Sequence, residues 1–379
     1  MFRFLILTAA TILGLHGQIP AFAREDKVDM LDSYYRASSF DESEMVCARE
    51  NNNAVKPPCY FEGNYIPNAC PSRIFLFEAD YLYWQTRSDE LPYAVINATT
   101  GASPDLVLTS GKFYRLQPEY NSGVRLGGKV FIPALRNLLF SGKWTYYQTT
   151  GNGNTPTLLA SEYMYPTWMN PNQNPLPALA EGEYSLQTNI ADFSIERIFF
   201  PSSKLKINSL IGVRALWLDQ GLNVLYSGGS LADPVLSKNT ANLSGTGLRT
   251  GVSTQWNLCY GLSVLGWSYI DLIWSKTTIN QRNEYQADIR AATQDIIFTT
   301  NPMFELFLGL CWEKIVASKN MSRGTNVSAR IGWEQQYLIN GVQFNQYTEF
   351  RSTDAISAIV HQTGGLSFGG LTAGLSIGF

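Results

Sequence analysis

The 379-residue chain is short of several things at once. After Leu15 no apolar run approaches the ~20 residues that a spanning helix requires, which excludes a helical membrane protein. Charged residues make up only 16%, low for a soluble protein of this size. Basic excess is missing too: 28 Lys and Arg against 31 Asp and Glu leave a net charge of −3. That balance offers no field to hold nucleic acid, and none of the usual nucleic-acid motifs is present. Histidine numbers two, and beyond residue 23 only His361 remains. A two-histidine metal site is therefore excluded, and any Ser/His or Asp/His centre must use His361, with Asp354 or Ser357 as neighbours. More often a lone loop histidine is a solvated polar residue, so no enzyme and no cofactor are expected.

What is present begins with an export signal. Arg3 supplies the charge, Phe4 to Leu15 the apolar stretch, and Ala21-Phe22-Ala23 the small-x-small cleavage site. Residues 1–23 are read as a signal peptide, with a mature chain of about 356 residues. Residues 24–72 are polar, Pro/Asn-rich and without period, and read as a periplasmic segment. They hold Cys47, Cys59 and Cys70, while Cys259 and Cys311 stand apart. Export to an oxidising compartment makes Cys47, Cys59 and Cys70 disulfide candidates, with one thiol left for a disulfide-linked envelope partner.

From residue 73 the chain alternates. Phe75, Phe77, Ala79, Tyr81 and Tyr83 share one face of a strand whose other face carries Glu78 and Asp80. Tyr120, Val124, Leu126 and Val130 oppose Glu119, Arg125 and Lys129; Leu138, Phe140, Trp144 and Tyr146 oppose Lys143. The pattern recurs at 186–198, 206–218, 247–258, 262–274, 303–316, 326–338 and 366–379. Only 262–274 is untidy, because Trp267 and Tyr269 share a face with Asp271. Aromatic residues are 13% of the chain, and Tyr81, Tyr83, Trp84, Tyr146, Tyr147, Trp217, Trp256, Trp274, Trp312 and Trp333 gather towards strand ends, as interfacial girdles do.

Between these ten strands the connections run about 34, 5, 36, 7, 28, 3, 28, 9 and 27 residues. Soluble sandwiches have no reason to alternate long with short; outer-membrane barrels do, with short periplasmic turns and long external loops. The expected fold is all-β: a transmembrane antiparallel up-and-down β-barrel over 73–379, of about ten strands, or twelve if a long loop hides a hairpin. Integral placement in the outer membrane of a Gram-negative bacterium follows, with outer-membrane lipid as its surroundings.

Charge then belongs inside, since Lys or Arg facing hydrocarbon at the midplane costs about 2–4 kcal/mol. The expected lumen lining is Glu78, Asp80, Arg125, Lys129, Lys143, Arg214, Arg249, Arg330 and Glu334, joined by Glu119, Asp192, Glu196, Lys206, Asp271, Glu305 and Glu313. Gly123-Val-Arg-Leu-Gly-Gly-Lys129 fits a phosphate-loop spacing, yet Val130 stands where Ser or Thr is needed. It also lies inside an alternating strand, so the match is accidental.

Phe75-Leu-Phe-Glu-Ala-Asp-Tyr-Leu-Tyr-Trp84, Gly123-Val-Arg-Leu-Gly127, Ile211-Gly-Val-Arg-Ala-Leu-Trp217 and Gly369-Gly-Leu-Thr-Ala-Gly-Leu-Ser-Ile-Gly-Phe379 resemble the Legionella-type pore-forming outer-membrane proteins. That group is similar to the major-outer-membrane-protein-like proteins of chlamydia-related bacteria. The resemblance covers about 73–379 and implies an abundant surface barrel with porin-like activity. It also implies that Phe379, closing an alternating strand, is the signal read by the barrel-assembly machinery. The expected function is passive diffusion of small hydrophilic solutes; the alternative is a structural or adhesive surface protein whose barrel is plugged. A homo-oligomer is a further possibility.

Overall fold

In the computed structural model the described residues are 75–88, 91–98, 111–131, 138–159, 162–169, 176–202, 204–286, 288–316, 325–350 and 356–378. Residues 1–23, read above as a signal peptide, the 24–72 segment with its three cysteines, Phe379, Asp354 and the side chain of Ser357 lie outside them.

Thirteen strands are present among the described residues: β1 (Phe75–Arg87), β2 (Pro92–Ala98), β3 (Lys112–Arg115), β4 (Tyr120–Phe131), β5 (Leu138–Asn154), β6 (Glu162–Pro166), β7 (Leu179–Ser202), β8 (Leu205–Ser227), β9 (Val235–Cys259), β10 (Leu262–Tyr285), β11 (Asp288–Val316), β12 (Thr325–Phe350) and β13 (Ile356–Gly378). Ten of them close a ring in the order β1-β13-β12-β11-β10-β9-β8-β7-β5-β4, every pairing antiparallel, with β4 returning to β1. Closure pairs the backbone groups of the wall through the apolar belt, which is the condition a strand must meet to cross hydrocarbon. Each ring strand contains one of the ten segments in which side-chain polarity alternates.

The wall is apolar outside for one stretch of its height only. On β10 the outward residues Leu262, Ile270, Leu272 and Trp274 give way to Lys276 and Arg282. Twelve residue steps from Leu262 to Trp274 at ~3.4 Å each, tilted by ~45°, rise about 29 Å, close to the thickness of a hydrocarbon core. Beyond it the polarity inverts while the period of two continues. On β8, Ile211, Val213 and Trp217 face out in the belt around an inward Arg214, whereas above it Asp219 and Asn223 face out and Leu218, Leu222, Val224 and Tyr226 are buried. On β7 the outward Glu181 and Glu183 alternate with the buried Tyr184 and Leu186.

This inversion corrects three expected loops. Residues 219–246, 275–302 and 339–365 are mostly strand, because β7 to β13 run 23 to 29 residues and project well past the belt. Between β8 and β9 only 228–234 remain as turn. Above the Met303–Leu338 pair, β11 and β12 share no ladder, and the wall divides into a β10–β11 and a β12–β13 hairpin. The shift falls at Leu338/Val342, where Asn340 takes a φ of 55°, a conformation Asn tolerates better than most residues.

The two remaining long connections, β1 to β4 and β5 to β7, supply β2, β3 and β6. These form a separate sheet in the order β3-β2-β6, not hydrogen-bonded into the ring.

Candidate functional site in the barrel lumen

Inward side chains of the belt meet across the lumen rather than standing apart. Arg214 on β8 grips Asp192 on β7 through two bonds, Nε to Oδ1 at 2.6 Å and Nη2 to Oδ2 at 2.8 Å. The same guanidinium reaches Asp271 on β10 and Glu305 on β11, each at 2.9 Å. Arg249 on β9 binds Asp271 at 3.0 Å and Glu305 at 2.9 Å, and lies 4.4 Å from the centroid of the Tyr269 ring. Trp267 donates its indole N–H to Glu305 at 3.0 Å. Trp267 and Tyr269 therefore face the lumen with Asp271, and the strand that broke the one-sided pattern does so because aromatics are needed inside.

A second cluster sits across from the first. Arg125 on β4 forms a fork with Glu334 on β12 at 2.7 and 3.0 Å, and donates through Nε to Thr145 at 3.0 Å. Arg330 binds Asp80 at 2.8 Å and Glu78 at 2.9 Å, while Lys129 lies 3.5 Å from Glu78 and 3.2 Å from Glu196. Thr372 and Gln336 donate to the two Glu334 oxygens. Lys143 and Lys206 line the same lumen nearer the short turns. Glu119, by contrast, is exposed at the outer end of β4.

Glycine provides the room. A Cβ on Gly374 would collide with the Asp80 carboxylate and come within 3.0 Å of Arg330. The small inward positions of β13, Gly370, Thr372, Gly374 and Ser376, lie beside the long charged side chains of β1 and β12.

Directly above the charges lies an apolar layer. Trp84, Tyr147, Ile190, Leu216, Leu243, Ile273, Met303, Leu338 and Phe368 are all buried there. Trp84 and Tyr147 thus belong to the interior, not to the outer girdle: their rings pack 5.7 Å apart, each against Phe368. Trp84 also donates to Thr372 at 3.1 Å, and Tyr147 to the Trp84 carbonyl at 2.7 Å. The girdle positions that do face out include Tyr81, Tyr83, Trp144, Trp217, Trp256, Trp274, Trp312 and Trp333.

The β3-β2-β6 sheet continues this core upward. Tyr93, Leu116, Met164 and Trp168 are buried among the barrel's inward residues, and Trp168 packs edge-on to Phe344 at 5.8 Å. The Tyr226 hydroxyl donates to the Tyr93 carbonyl at 2.7 Å and accepts the Trp168 N–H at 3.2 Å. Ser237 and Gln346 donate to the Trp168 and Thr167 carbonyls. Sequence reading missed this sheet; Trp168 and Tyr93, large apolar residues in otherwise polar loops, were its available signal.

Below the charges, at the end with the short turns, a cavity of about 190 Å³ remains. All ten ring strands contribute to its lining, from Leu76 and Lys143 to Lys206, Glu313, Asn326 and Ser376.

A protein-family model described as the Legionella pneumophila major outer membrane protein precursor matches residues 65–379. The chain belongs to that family. Its members' description and the closed apolar-belted ring together place this protein in the outer membrane as an integral barrel. Similar solved structures include the outer membrane protease OmpT of Escherichia coli, 10% identical, covering 82% of this chain and 97% of that one at a TM-score of 0.43. A major outer membrane protein of Thermus thermophilus is 11% identical over 81% and 100% of the two chains, TM-score 0.34. The translocator domain of the autotransporter NalP from Neisseria meningitidis is 10% identical over 92% and 94%, TM-score 0.31. No curated protein sequence matches.

Proposed function

We propose that the chain works as a closed barrel, a structural surface protein of the outer membrane that carries its outer extension above the bilayer. One observation carries this reading: Arg125, Arg214, Arg249 and Arg330 each bind carboxylates directly beneath a continuous apolar layer. Ions crossing that plane would have to break bidentate pairs and then traverse Trp84, Leu216 and Met303. The reading assigns no reaction to the lumen, because its carboxylates are held by guanidinium groups. His361 stands apart on β13, its Nδ1 3.2 Å from the Asn345 side-chain oxygen.

A porin reading, with passive diffusion of small hydrophilic solutes, keeps one observation in its favour: the charged cavity opening towards the short-turn end. It requires the apolar layer and the loop-derived sheet to move. Planar-bilayer recording of the refolded protein separates the two. The closed barrel gives no unitary steps in several salts and voltages. Stepwise conductance whose reversal potential moves towards cations in Arg125→Gln or Arg249→Gln replaces that reading with the porin.

A further inference from the structure

Above the belt on β9 and β10, the outward cations are treated unequally. Lys238 and Arg282 both bind Glu284, at 3.0 and 2.7 Å. Lys276 has no ion pair among the described residues. Its surroundings follow from register: Ser244 opposes it on β9 and Phe298 on β11. One step below on the same face, Trp274 stands between Thr246 and Thr300, and Trp217 lies beyond Ser244 on β8. The outward Asp219 is two strands across and one step up, about 12 Å away by strand spacing and rise. No carboxylate is therefore adjacent to the ammonium.

These residues line an open groove of about 690 Å³ on the outer wall. Trp217, Trp274 and Phe298 are 46%, 51% and 75% exposed, so the rings are not spent on the protein's own core. The height is set by the polarity switch. Trp274 is the last apolar outward residue of β10 and Lys276 the first charged one, so the ammonium stands where hydrocarbon ends and headgroups begin. A compact ammonium there binds phosphate as a point charge, hydroxyls at the flanking positions add donors, and the rings of Trp274 below it and of Trp217 and Phe298 beside it suit the first carbons of acyl chains.

We propose that the Lys276 groove binds a phosphorylated lipid of the outer leaflet, its phosphate on Lys276, Ser244 and Thr300 and its acyl chains along Trp217, Trp274 and Phe298. Charge complementarity and position select this occupant. An acidic peptide would find a single cation, and a zwitterionic lipid would bring its own cation to Lys276.

Native mass spectrometry of the folded full chain in neutral detergent tests this, with bisphosphorylated lipid A as the probe and enzymatically dephosphorylated lipid A beside it. The wild type should retain the phosphorylated form. Retention should fall about tenfold in Lys276→Gln, the scale of one lost charge-assisted bond, and by a similar factor for the dephosphorylated lipid. Lys276→Arg should keep it. Because Lys276 is exposed and outside every ion pair, all variants should show the same heat-modifiable folded band. Equal retention by Lys276→Gln would overturn the proposal, as would equal retention of the dephosphorylated lipid. Displacement of the lipid by equimolar inorganic phosphate would overturn it too, since the site would then serve a free anion.

Discussion

Arg125 and Glu334 are 209 residues apart and meet inside the barrel as a bidentate pair, at 2.7 and 3.0 Å, with β1 and β13 separating β4 from β12 by the short way round. Glu334 is fully buried and also accepts from Thr372 and Gln336. Such a pair is weak evidence of net stability, but breaking it from one side strands a buried charge.

Arg125→Leu should therefore destabilise the folded barrel by about 3–5 kcal/mol, whereas Arg125→Leu combined with Glu334→Leu should recover most of the loss. Urea unfolding followed by tryptophan fluorescence in micelles measures both. A single variant as stable as the wild type would show that water, not protein, solvates these groups.

Gly374→Ala tests the packing of the same cluster from the opposite side. The added methyl collides with the Asp80 carboxylate, so the Asp80–Arg330 pair must shift. A cost of about 1–3 kcal/mol is expected, within the range for overpacking. Gly128→Ala, where the nearest atom to a new Cβ is a backbone oxygen at 3.7 Å, should be close to neutral in the same unfolding experiment.

Tyr226→Phe removes the hydroxyl that joins Tyr93 and Trp168. The buried Tyr93 carbonyl and Trp168 N–H each lose a partner, worth about 1–3 kcal/mol in the outer core. Protease digestion of intact cells should cut within the β2–β3 connection faster in this variant, while the membrane-embedded fragment keeps its heat resistance. Unchanged cleavage would mean that apolar packing of Trp168 alone seats the sheet.

Topology is checked by chemical labelling. Lys238, with 45% of its side chain exposed, lies on the outer extension, and Lys129, at 17%, lies in the lumen. A membrane-impermeant amine reagent applied to intact cells should modify Lys238 and spare Lys129. A hydrophilic tag in 228–234 should likewise be reached by antibody, and one in 133–137 should not. The reverse pattern would invert the barrel.

Much of the barrel was legible in the amino-acid sequence. Wherever one face of a strand must meet hydrocarbon and the other must not, side-chain polarity has to alternate every second residue. Phe77 against Glu78 and Val213 against Arg214 therefore declare their faces without any knowledge of partners. Ten strands and the inward placement of charge follow from that local rule, and their antiparallel order from connections that alternate long with short.

What escaped it depends on what lies across the lumen. Above Trp217 and Trp274 the exterior changes from lipid to water, so the same alternation continues with its polarity reversed. Residues such as Asp219 and Leu222 then resemble loop unless the buried Tyr93 and Trp168 opposite are known. Whether Arg214 faces water or three carboxylates is equally a matter of ring closure. Asp192 opposes Arg214 and Asp271 opposes Arg249 directly across neighbouring strands, but Asp271 and Glu305 reach Arg214 from two and three strands away only because the wall curves round the lumen. Period and composition decide which side of a strand is dry; only the closed ring decides which charges meet, and so whether the lumen is a passage or a seal.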